Sequence, residues 1–292
     1  MKYLQYLSER FPPQQFVLLA GLLAAAAGIC LQVQARGPGL VFQPVALAFA
    51  ALLFFLFRLR LFDELKDYAH DLRFYPGRPL QRGLLKTGDI VRLIFLSLAV
   101  EIFVAVYAGA TSFIYFSASL AYSLLMFREF FVREWLRERF TLYIFSHELL
   151  AVPLFFYVAA LQGYGPELYR DPFVWTVTLF LGCQLFFLEI SRKMRPPELE
   201  NEARDTYTAQ YGICGASVLL AATGAAALAL GYFACDGRAP VYAAALAPFA
   251  WFLYAIAGFA RRPDGPGAKA VFNAAVLYFT LLNGFALWAA LT

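Results

Sequence analysis

Residues 40–61 read LVFQPVALAFAALLFFLFRLRL, and residues 62–83 continue directly into FDELKDYAHDLRFYPGRPLQRG. The first stretch is long and apolar enough to cross a lipid bilayer as a helix, which takes about 20 residues. The second stretch mixes acidic and basic side chains and ends in a loop that contains Pro76 and Gly77. An apolar helix of bilayer length that runs into a charged connection is typical of a multi-pass membrane protein.

The rest of the sequence repeats this pattern. Further apolar segments bring the spans to nine, at residues 14–34, 40–61, 89–108, 111–127, 141–161, 172–188, 211–235, 239–260 and 270–291. Of the 292 residues, 61% are apolar and 15% are charged, and the mean hydropathy is +0.62. This leaves too little charge to cover a soluble globule and too much apolar surface for a disordered chain or a disulfide scaffold. We therefore predict an all-α membrane protein, a bundle of nine transmembrane helices in a single domain over residues 1–292.

The basic residues predict the orientation. Of the 24 Lys and Arg residues, all but Arg36, Arg170 and Arg238 fall on the side of the N-terminus, and eight of these lie in the connection 58–92. Such a bias marks the cytoplasmic side, so we expect the N-terminus in the cytoplasm, the C-terminus outside and the active site at the cytoplasmic face. The first residues show no cleavable signal or transit peptide, which favours a bacterial or archaeal cell membrane.

Three carboxylates mark the connection after the second span. Asp63, Asp67 and Asp71 are four residues apart and share one helix face if the helix continues through Asp71, as we expect. Like charges at this spacing repel one another, so positive charge should lie nearby. One interpretation is local ion pairing, for which three basic residues lie within helical reach: Arg60, Lys66 and Arg73.

The other interpretation is a divalent cation. Mg²⁺ is usually held by one or two carboxylates together with substrate phosphates. Arg78, Arg82 and Lys86 follow directly and supply positive charge for phosphate. Carboxylates for a metal and guanidinium groups for phosphate, at one face of the membrane, indicate a diphosphate site.

Two other connections carry charge. After span 6, Glu189 and Lys193 lie one helical turn apart, where they form either a local ion pair or part of a site. Glu198, Glu200 and Glu202 follow in a run that also fits a solvated turn. The alternating charges of residues 128–139 indicate a solvated interfacial helix, in which Arg128, at the end of span 4, is best placed to reach a ligand.

With these motifs, the sequence resembles the UbiA superfamily of intramembrane prenyltransferases, which have nine helices and two acidic motifs on cytoplasmic loops. The family motif NDxxDxxxD, followed by NRPxxxG, corresponds here to Asp63-Glu64-Leu-Lys-Asp67-Tyr-Ala-His-Asp71 and Gly77-Arg78-Pro79-Leu-Gln-Arg82-Gly83. The leading Asn-Asp is replaced by Asp63-Glu64. The end of span 4, from Tyr122 to Arg128, is similar to the aromatic-to-basic helix end of the family.

The second motif departs from the family pattern DxxxD. Glu189-Ile-Ser-Arg192-Lys193 has Lys in the place of the second carboxylate. The candidates for the missing carboxylate are Glu198, Glu202 and Asp205. The alternative is that a single metal is strongly held and that Lys193 acts on phosphate.

The resemblance implies transfer of a prenyl group from a prenyl diphosphate to an unidentified acceptor, aromatic or lipid-like, with release of pyrophosphate. It implies Mg²⁺ as the cofactor and the bilayer as the setting, with no nucleic acid partner. The implied catalytic residues are Asp63, Asp67, Asp71, Glu189 and Lys193. The implied metal ligands are Asp63, Glu64, Asp67, Asp71, Glu189 and Asp205. The implied substrate-binding residues are Arg78, Arg82, Tyr122, Arg128, Arg192 and Tyr207.

Two alternatives stay open. One is a terpene cyclase of the same superfamily, or transfer to a sugar phosphate or a lipid. The other is a transporter, although the spans contain few ionisable residues, chiefly Glu101, His147 and Glu148, whereas transport sites usually lie near the middle of the membrane.

Overall fold

The structure is a computed structural model that describes residues 1–36, 41–235 and 239–291. Arg238, one of the three basic residues expected on the outer side, lies outside the described residues. Within these ranges the chain is helical and contains no strand. The helices are α1 (Lys2–Arg10), α2 (Pro13–Arg36), α3 (Phe42–Lys66), α4 (Tyr68–Phe74), α5 (Thr87–Ala108), α6 (Ala110–Phe127), α7 (Arg133–Arg137), α8 (Phe140–Glu148), α9 (Ala151–Leu161), α10 (Pro172–Arg192), α11 (Tyr207–Ala234), α12 (Ala239–Arg261) and α13 (Gly265–Leu291).

The nine predicted spans are confirmed in the described part of the chain. They correspond to α2, α3, α5, α6, the pair α8 and α9, and α10 to α13, each long and apolar enough to cross a membrane. The short predicted span 111–127 is a continuous helix, Ala110–Phe127. It is separated from α5 only by Gly109, whose φ of +107° is a conformation that side chains other than glycine rarely adopt.

The fifth span is two helices because it contains a proline near its middle. α8 ends at Glu148 and α9 begins at Ala151. Pro153 has no backbone N–H and cannot donate to the Leu149 carbonyl, so the regular hydrogen-bond ladder is interrupted there. The helical pattern predicted for 141–161 is therefore correct in extent but not in continuity.

The helices form two compact units. Unit one comprises residues 1–28 and 41–168, and unit two comprises residues 29–40 and 169–292. In unit one, α3 packs along α5, and α6 packs along α9. In unit two, α10 packs along α11, and α12 packs along α13.

A buried ion pair joins α3 to α5 inside unit one. Arg58 is fully buried, and its Nε and Nη2 donate to the two carboxylate oxygens of Glu101 at 2.8 and 2.9 Å. Its Nη1 donates to the Ser123 hydroxyl of α6 at 2.9 Å, and the guanidinium lies over the rings of Phe55 and Phe62. Arg58, which was counted with the connection 58–92, lies within α3 as the span 40–61 predicted, and Glu101, 43 positions away, balances its charge there.

Unit two is held together by aromatic packing. Tyr278 of α13 is fully buried and lies 5.4 Å, centroid to centroid, from each of the rings of Phe187, Phe249 and Phe252. Its hydroxyl donates to the Gly224 carbonyl of α11 at 3.0 Å. This single side chain therefore connects four of the membrane-length helices of unit two.

Candidate functional site

The acidic residues after the second span lie where the helix changes direction. α3 ends at Lys66, and Asp67, with φ of −96° and ψ of 11°, separates it from α4. The amides of Asp67 and Asp71 still donate to the carbonyls four residues earlier, at 2.9 and 2.8 Å. The predicted uninterrupted helix through Asp71 is therefore wrong only at Asp67. The break lies where three carboxylates would otherwise follow one another along a single face. We call residues 63–71 the acidic helix end.

Asp67 is the middle one of the three carboxylates that lie four residues apart in the acidic helix end. It is partly buried, and within the described residues its carboxylate has no hydrogen-bond partner. Burial raises the pKa of Asp67, and the carboxylates of Asp63, Asp71 and Glu129 raise this pKa further, while Lys66 opposes the shift. A carboxylate in this position favours the approach of a cation.

The two flanking carboxylates have partners within the chain. Asp63 is 41% exposed and lies 3.7 Å from the Lys66 Nζ and 4.0 Å from an Arg60 nitrogen. The nearly buried Asp71 accepts a hydrogen bond from Arg78 and lies 3.4 Å from the His70 ring nitrogen. The local ion pairs considered from the sequence thus balance part of the charge of Asp63. The charge of Asp71 is balanced by Arg78.

Glu64 points to a different part of unit one. Its fully buried carboxylate lies 2.5 Å from the Arg10 Nε of α1, and a nitrogen of Arg60 lies 3.9 Å away. Glu64, which the family resemblance implied as a metal ligand, is therefore bound to the guanidinium group of Arg10.

The basic residues after α4 also have defined partners. We call residues 75–86 the basic loop. In addition to its hydrogen bond to Asp71, the Arg78 guanidinium lies over the Tyr75 ring, 4.1 Å from its centroid. Arg82 donates from both terminal nitrogens to the Glu9 carboxylate, at 2.8 and 2.7 Å, and from one of them to the Gly77 carbonyl at 2.8 Å. Arg78 and Arg82, two of the three basic-loop residues predicted to bind phosphate, are thus oriented by contacts within unit one.

A strained turn lies beside the acidic helix end. Glu129, Phe130 and Phe131 have φ values of 47°, 53° and 61°, a left-handed conformation that costs energy in residues other than glycine and often occurs at functional sites. The turn is held there by Arg133, which donates to the Lys66 carbonyl at 3.4 Å. Arg128, at the start of this turn, is exposed, and its guanidinium has no hydrogen-bond or ion-pair partner among the described residues.

Glu129 is a site residue that the sequence did not reveal. The alternating charges of 128–139 predicted a solvated helix, but Glu129 is 2% exposed and lies 2.9 Å from the Arg133 Nε. Glu129 lies in the left-handed turn, and this turn contains no Gly or Asn from which it could have been predicted. Tyr122, which the resemblance placed at the substrate, instead donates to the Ser146 carbonyl at 2.8 Å.

The second acidic motif lies in unit two and is locally paired. Glu189 accepts hydrogen bonds from Arg192, at distances of 2.7 to 3.1 Å, and lies 2.9 Å from the Lys193 Nζ. The local ion pair that the sequence left open is therefore present. Asp205 lies 4.0 Å from an Arg195 nitrogen.

The loop between α10 and α11 is ordered by a different carboxylate. Glu200 accepts hydrogen bonds from the hydroxyls of Thr206 and Thr208. Tyr207 is 2% exposed and packs towards Phe186, with ring centroids 6.3 Å apart, so its ring is part of the interior of unit two. Glu198 and Glu202 are exposed, as expected of a solvated turn.

The residues fit a metal that a substrate helps to hold. In the described part of the chain, no group of three or more His, Cys, Asp or Glu side chains lies close enough to bind a metal by itself. Mg²⁺ usually takes one or two carboxylates and completes its shell with water and substrate phosphates. Asp67, whose carboxylate has no hydrogen-bond partner among the described residues, and the half-exposed Asp63 fit that requirement.

The fold is that of a multi-pass helical membrane protein, and it is similar to the folds of two solved structures. A UbiA homolog from Aeropyrum pernix K1 has the same fold, with a TM-score of 0.65 and 16% identity, over 92% of this chain and 96% of that one. A structure of digeranylgeranylglyceryl phosphate synthase matches with a TM-score of 0.62 and 14% identity over 99% of both chains. No protein-family model and no curated protein matches the sequence. The predicted nine-helix, UbiA-like fold is confirmed by these structures.

Proposed function

We propose that this protein is an intramembrane prenyltransferase, which moves a prenyl group from a prenyl diphosphate to an acceptor and releases pyrophosphate. The observation that carries the proposal is the carboxylate of Asp67, which is partly buried and has no hydrogen-bond partner among the described residues. It lies at the end of a membrane-length helix, where its charged neighbours are Lys66 and three carboxylates, Asp63, Asp71 and Glu129. The shared fold supports it, since one of the structures is a digeranylgeranylglyceryl phosphate synthase and the other a UbiA homolog.

In this proposal, Asp63 and Asp67 hold Mg²⁺ together with the diphosphate oxygens. The bound ion supplies positive charge against the negative charge that develops on the leaving diphosphate. Asp71 orients the Arg78 guanidinium, and the exposed Arg128 provides a second guanidinium without a competing partner in the described chain. Guanidinium groups suit phosphate because their N–H fork matches two oxygens at once.

The reaction needs little covalent participation from the protein. The bond between the allylic carbon and the diphosphate oxygen breaks, the electron pair leaves with pyrophosphate, and the acceptor forms the new bond and loses a proton. Pre-placed charges that stabilise the departing group supply most of the catalysis in such a case. The apolar helices beside the acidic helix end suit the prenyl chain, and the basic bias of the connections supports a cytoplasmic position for the site.

The roles implied for Glu189, Lys193, Arg192, Asp205 and Tyr207 stay predictions. In unit two, Glu189 is engaged by two cations. Glu101 does not support the transporter alternative, because both of its carboxylate oxygens are bound to Arg58.

The test is pyrophosphate release by the purified protein, supplied with a panel of prenyl diphosphates and a membrane extract as the source of acceptor, with Mg²⁺ or with a chelator. We expect release only with Mg²⁺. Asp67→Asn should lower turnover by at least about 100-fold, the usual effect of removing one stabilising group, and should leave the protein folded and inserted. The matched control is Glu138→Gln, which removes a carboxylate that is 75% exposed and should keep turnover.

The outcomes are distinct. Retained turnover in Asp67→Asn would remove the metal assignment, and no release with any donor would refute the proposed reaction. A prenylated product that forms only with the membrane extract would support a transferase. A hydrocarbon or alcohol product formed without an acceptor would identify the cyclase alternative instead.

A further inference from the structure

The first helix is bound to the segment that carries the proposed site. α1 has three charged side chains, Lys2, Glu9 and Arg10, and each forms an ion pair with a residue between positions 64 and 89. Lys2 lies 2.7 Å from an Asp89 oxygen, Glu9 lies 2.7 Å from an Arg82 nitrogen, and Arg10 lies 2.5 Å from a Glu64 oxygen. The three contacts fall on the start of α5, the basic loop and the end of α3.

An apolar contact holds α1 in the same place. Tyr6 is fully buried in a cluster contributed by α3, the basic loop and α5: Leu61, Leu80, Leu85 and Ile90. Burial of an aromatic side chain stabilises a contact more than an exposed ion pair does. Tyr6 therefore contributes to the attachment of α1, and the ion pairs determine which polar groups α1 holds.

Arg82 is the basic-loop residue that α1 engages directly. The two oxygens of Glu9 accept from its two terminal nitrogens, which is the geometry in which a guanidinium would bind a phosphate. One of these nitrogens also donates to the Gly77 carbonyl, so Arg82 connects α1 to the beginning of the loop. The end of the guanidinium that a diphosphate would use is already occupied.

We propose that α1 is a clamp on the basic loop, and that Glu9 and Arg82 are positioning residues which hold this loop beside the acidic helix end. Arg82 then acts through the loop and not by contact with the diphosphate, and Arg78 and Arg128 remain as the guanidinium groups for phosphate. The positioning role rests on the proposed function, whereas the clamp itself does not depend on any reaction.

Reversal of the Glu9–Arg82 pair separates the two roles of Arg82. The variants are Glu9→Arg, Arg82→Glu and the double variant with both changes. Two quantities are measured on the full-length protein in detergent: amide hydrogen exchange in the basic loop, whose Leu84 amide donates to the Pro79 carbonyl at 2.9 Å, and the KM and kcat for the prenyl diphosphate.

We expect each single variant to speed exchange in the loop and to raise KM by about two- to fivefold, as loss of an exposed ion pair predicts, with kcat nearly unchanged. The double variant should return both quantities most of the way to wild type. Recovery of exchange will be incomplete, because Glu at position 82 cannot donate to the Gly77 carbonyl. Glu9→Gln, which adds no repulsion, should give a smaller change of the same sign. Glu138→Arg, a charge reversal elsewhere in unit one, should change neither quantity.

Two results would overturn the proposal. If the double variant regains slow exchange but not KM, then Arg82 contacts the diphosphate and is not a positioning residue. If neither single variant speeds exchange in the loop, α1 does not clamp it. If the wild-type protein turns over no prenyl diphosphate, the proposed function fails, and the exchange measurements still decide whether the clamp exists.

Discussion

Replacement of Glu101 by Gln tests the buried ion pair of unit one. The change preserves the size of the side chain but removes the charge that balances Arg58. In the structure, Arg58 is 0% exposed and Glu101 is 1% exposed, so water cannot take over the lost interaction without opening the contact between α3 and α5. The Ser123 hydroxyl and the two Phe rings would remain as the neighbours of an uncompensated cation.

The expected loss is large because the remaining charge stays buried. Breaking a buried ion pair by removing one partner typically costs about 3–5 kcal/mol. That loss is a large fraction of the total stability of a domain, which is about 5–15 kcal/mol. Replacing both partners with apolar residues, as in Arg58→Met with Glu101→Leu, should be nearly neutral or stabilising, since neither charge then has to be desolvated.

The assay is reversible unfolding in mixed detergent micelles, followed by circular dichroism or by pulse proteolysis. The control is the exposed pair Arg262–Asp264, with 88% and 38% of the side chains accessible, where Asp264→Asn should cost less than about 1 kcal/mol. A loss below about 1 kcal/mol for Glu101→Gln would refute the reasoning, as would a double variant no more stable than the single one.

Two further predictions concern unit two. Lys193→Ala removes a 2.9 Å contact with Glu189 between partly exposed side chains, so thermal unfolding should show a loss of about 0.3–0.5 kcal/mol. Gly224→Ala should cost about 1–3 kcal/mol in the same measurement, because its Cβ would lie 2.7 Å from the ring of Phe252, which is fully buried.

Each of these predictions has a contrary outcome. If Lys193→Ala raises the Mg²⁺ or diphosphate concentration that turnover requires, Lys193 acts on the substrate and is more than a partner of Glu189. For Gly224 the control is Gly258→Ala, where an added Cβ has nothing within 4 Å. Equal effects of the two alanine substitutions would mean that contact with Phe252 does not limit this position.

The spans could be predicted because a bilayer imposes its requirement segment by segment. Each helix must satisfy its own backbone hydrogen bonds and present about 20 apolar residues, and both properties are visible in a short window of sequence. The acidic helix end could be predicted for a similar reason, since the spacing of Asp63, Asp67 and Asp71 by itself places them on one helix face. The interruption at Asp67 and the division of the fifth span were not predicted, although Pro153 was a local signal for the second.

Ion pairs between residues far apart in the chain could not be predicted from short windows of sequence. Nothing in the sequence near Arg58 indicates Glu101, and nothing near Glu64 indicates Arg10, 54 positions earlier. The left-handed turn that buries Glu129 is also unmarked, because its three residues are not the types that usually adopt positive φ.

The amino-acid sequence alone thus specifies a nine-span membrane protein with carboxylates and guanidinium groups gathered at helix ends, since these are properties of single helices. Only the tertiary structure decides which charges are already neutralised and which remain available. Glu64, Asp71 and Arg82 are bound by other side chains, whereas Asp67 and Arg128 have no such partner in the described chain. The reason is that a charge is balanced by whatever lies within a few ångströms in space, and in a helical membrane protein those neighbours come from other helices.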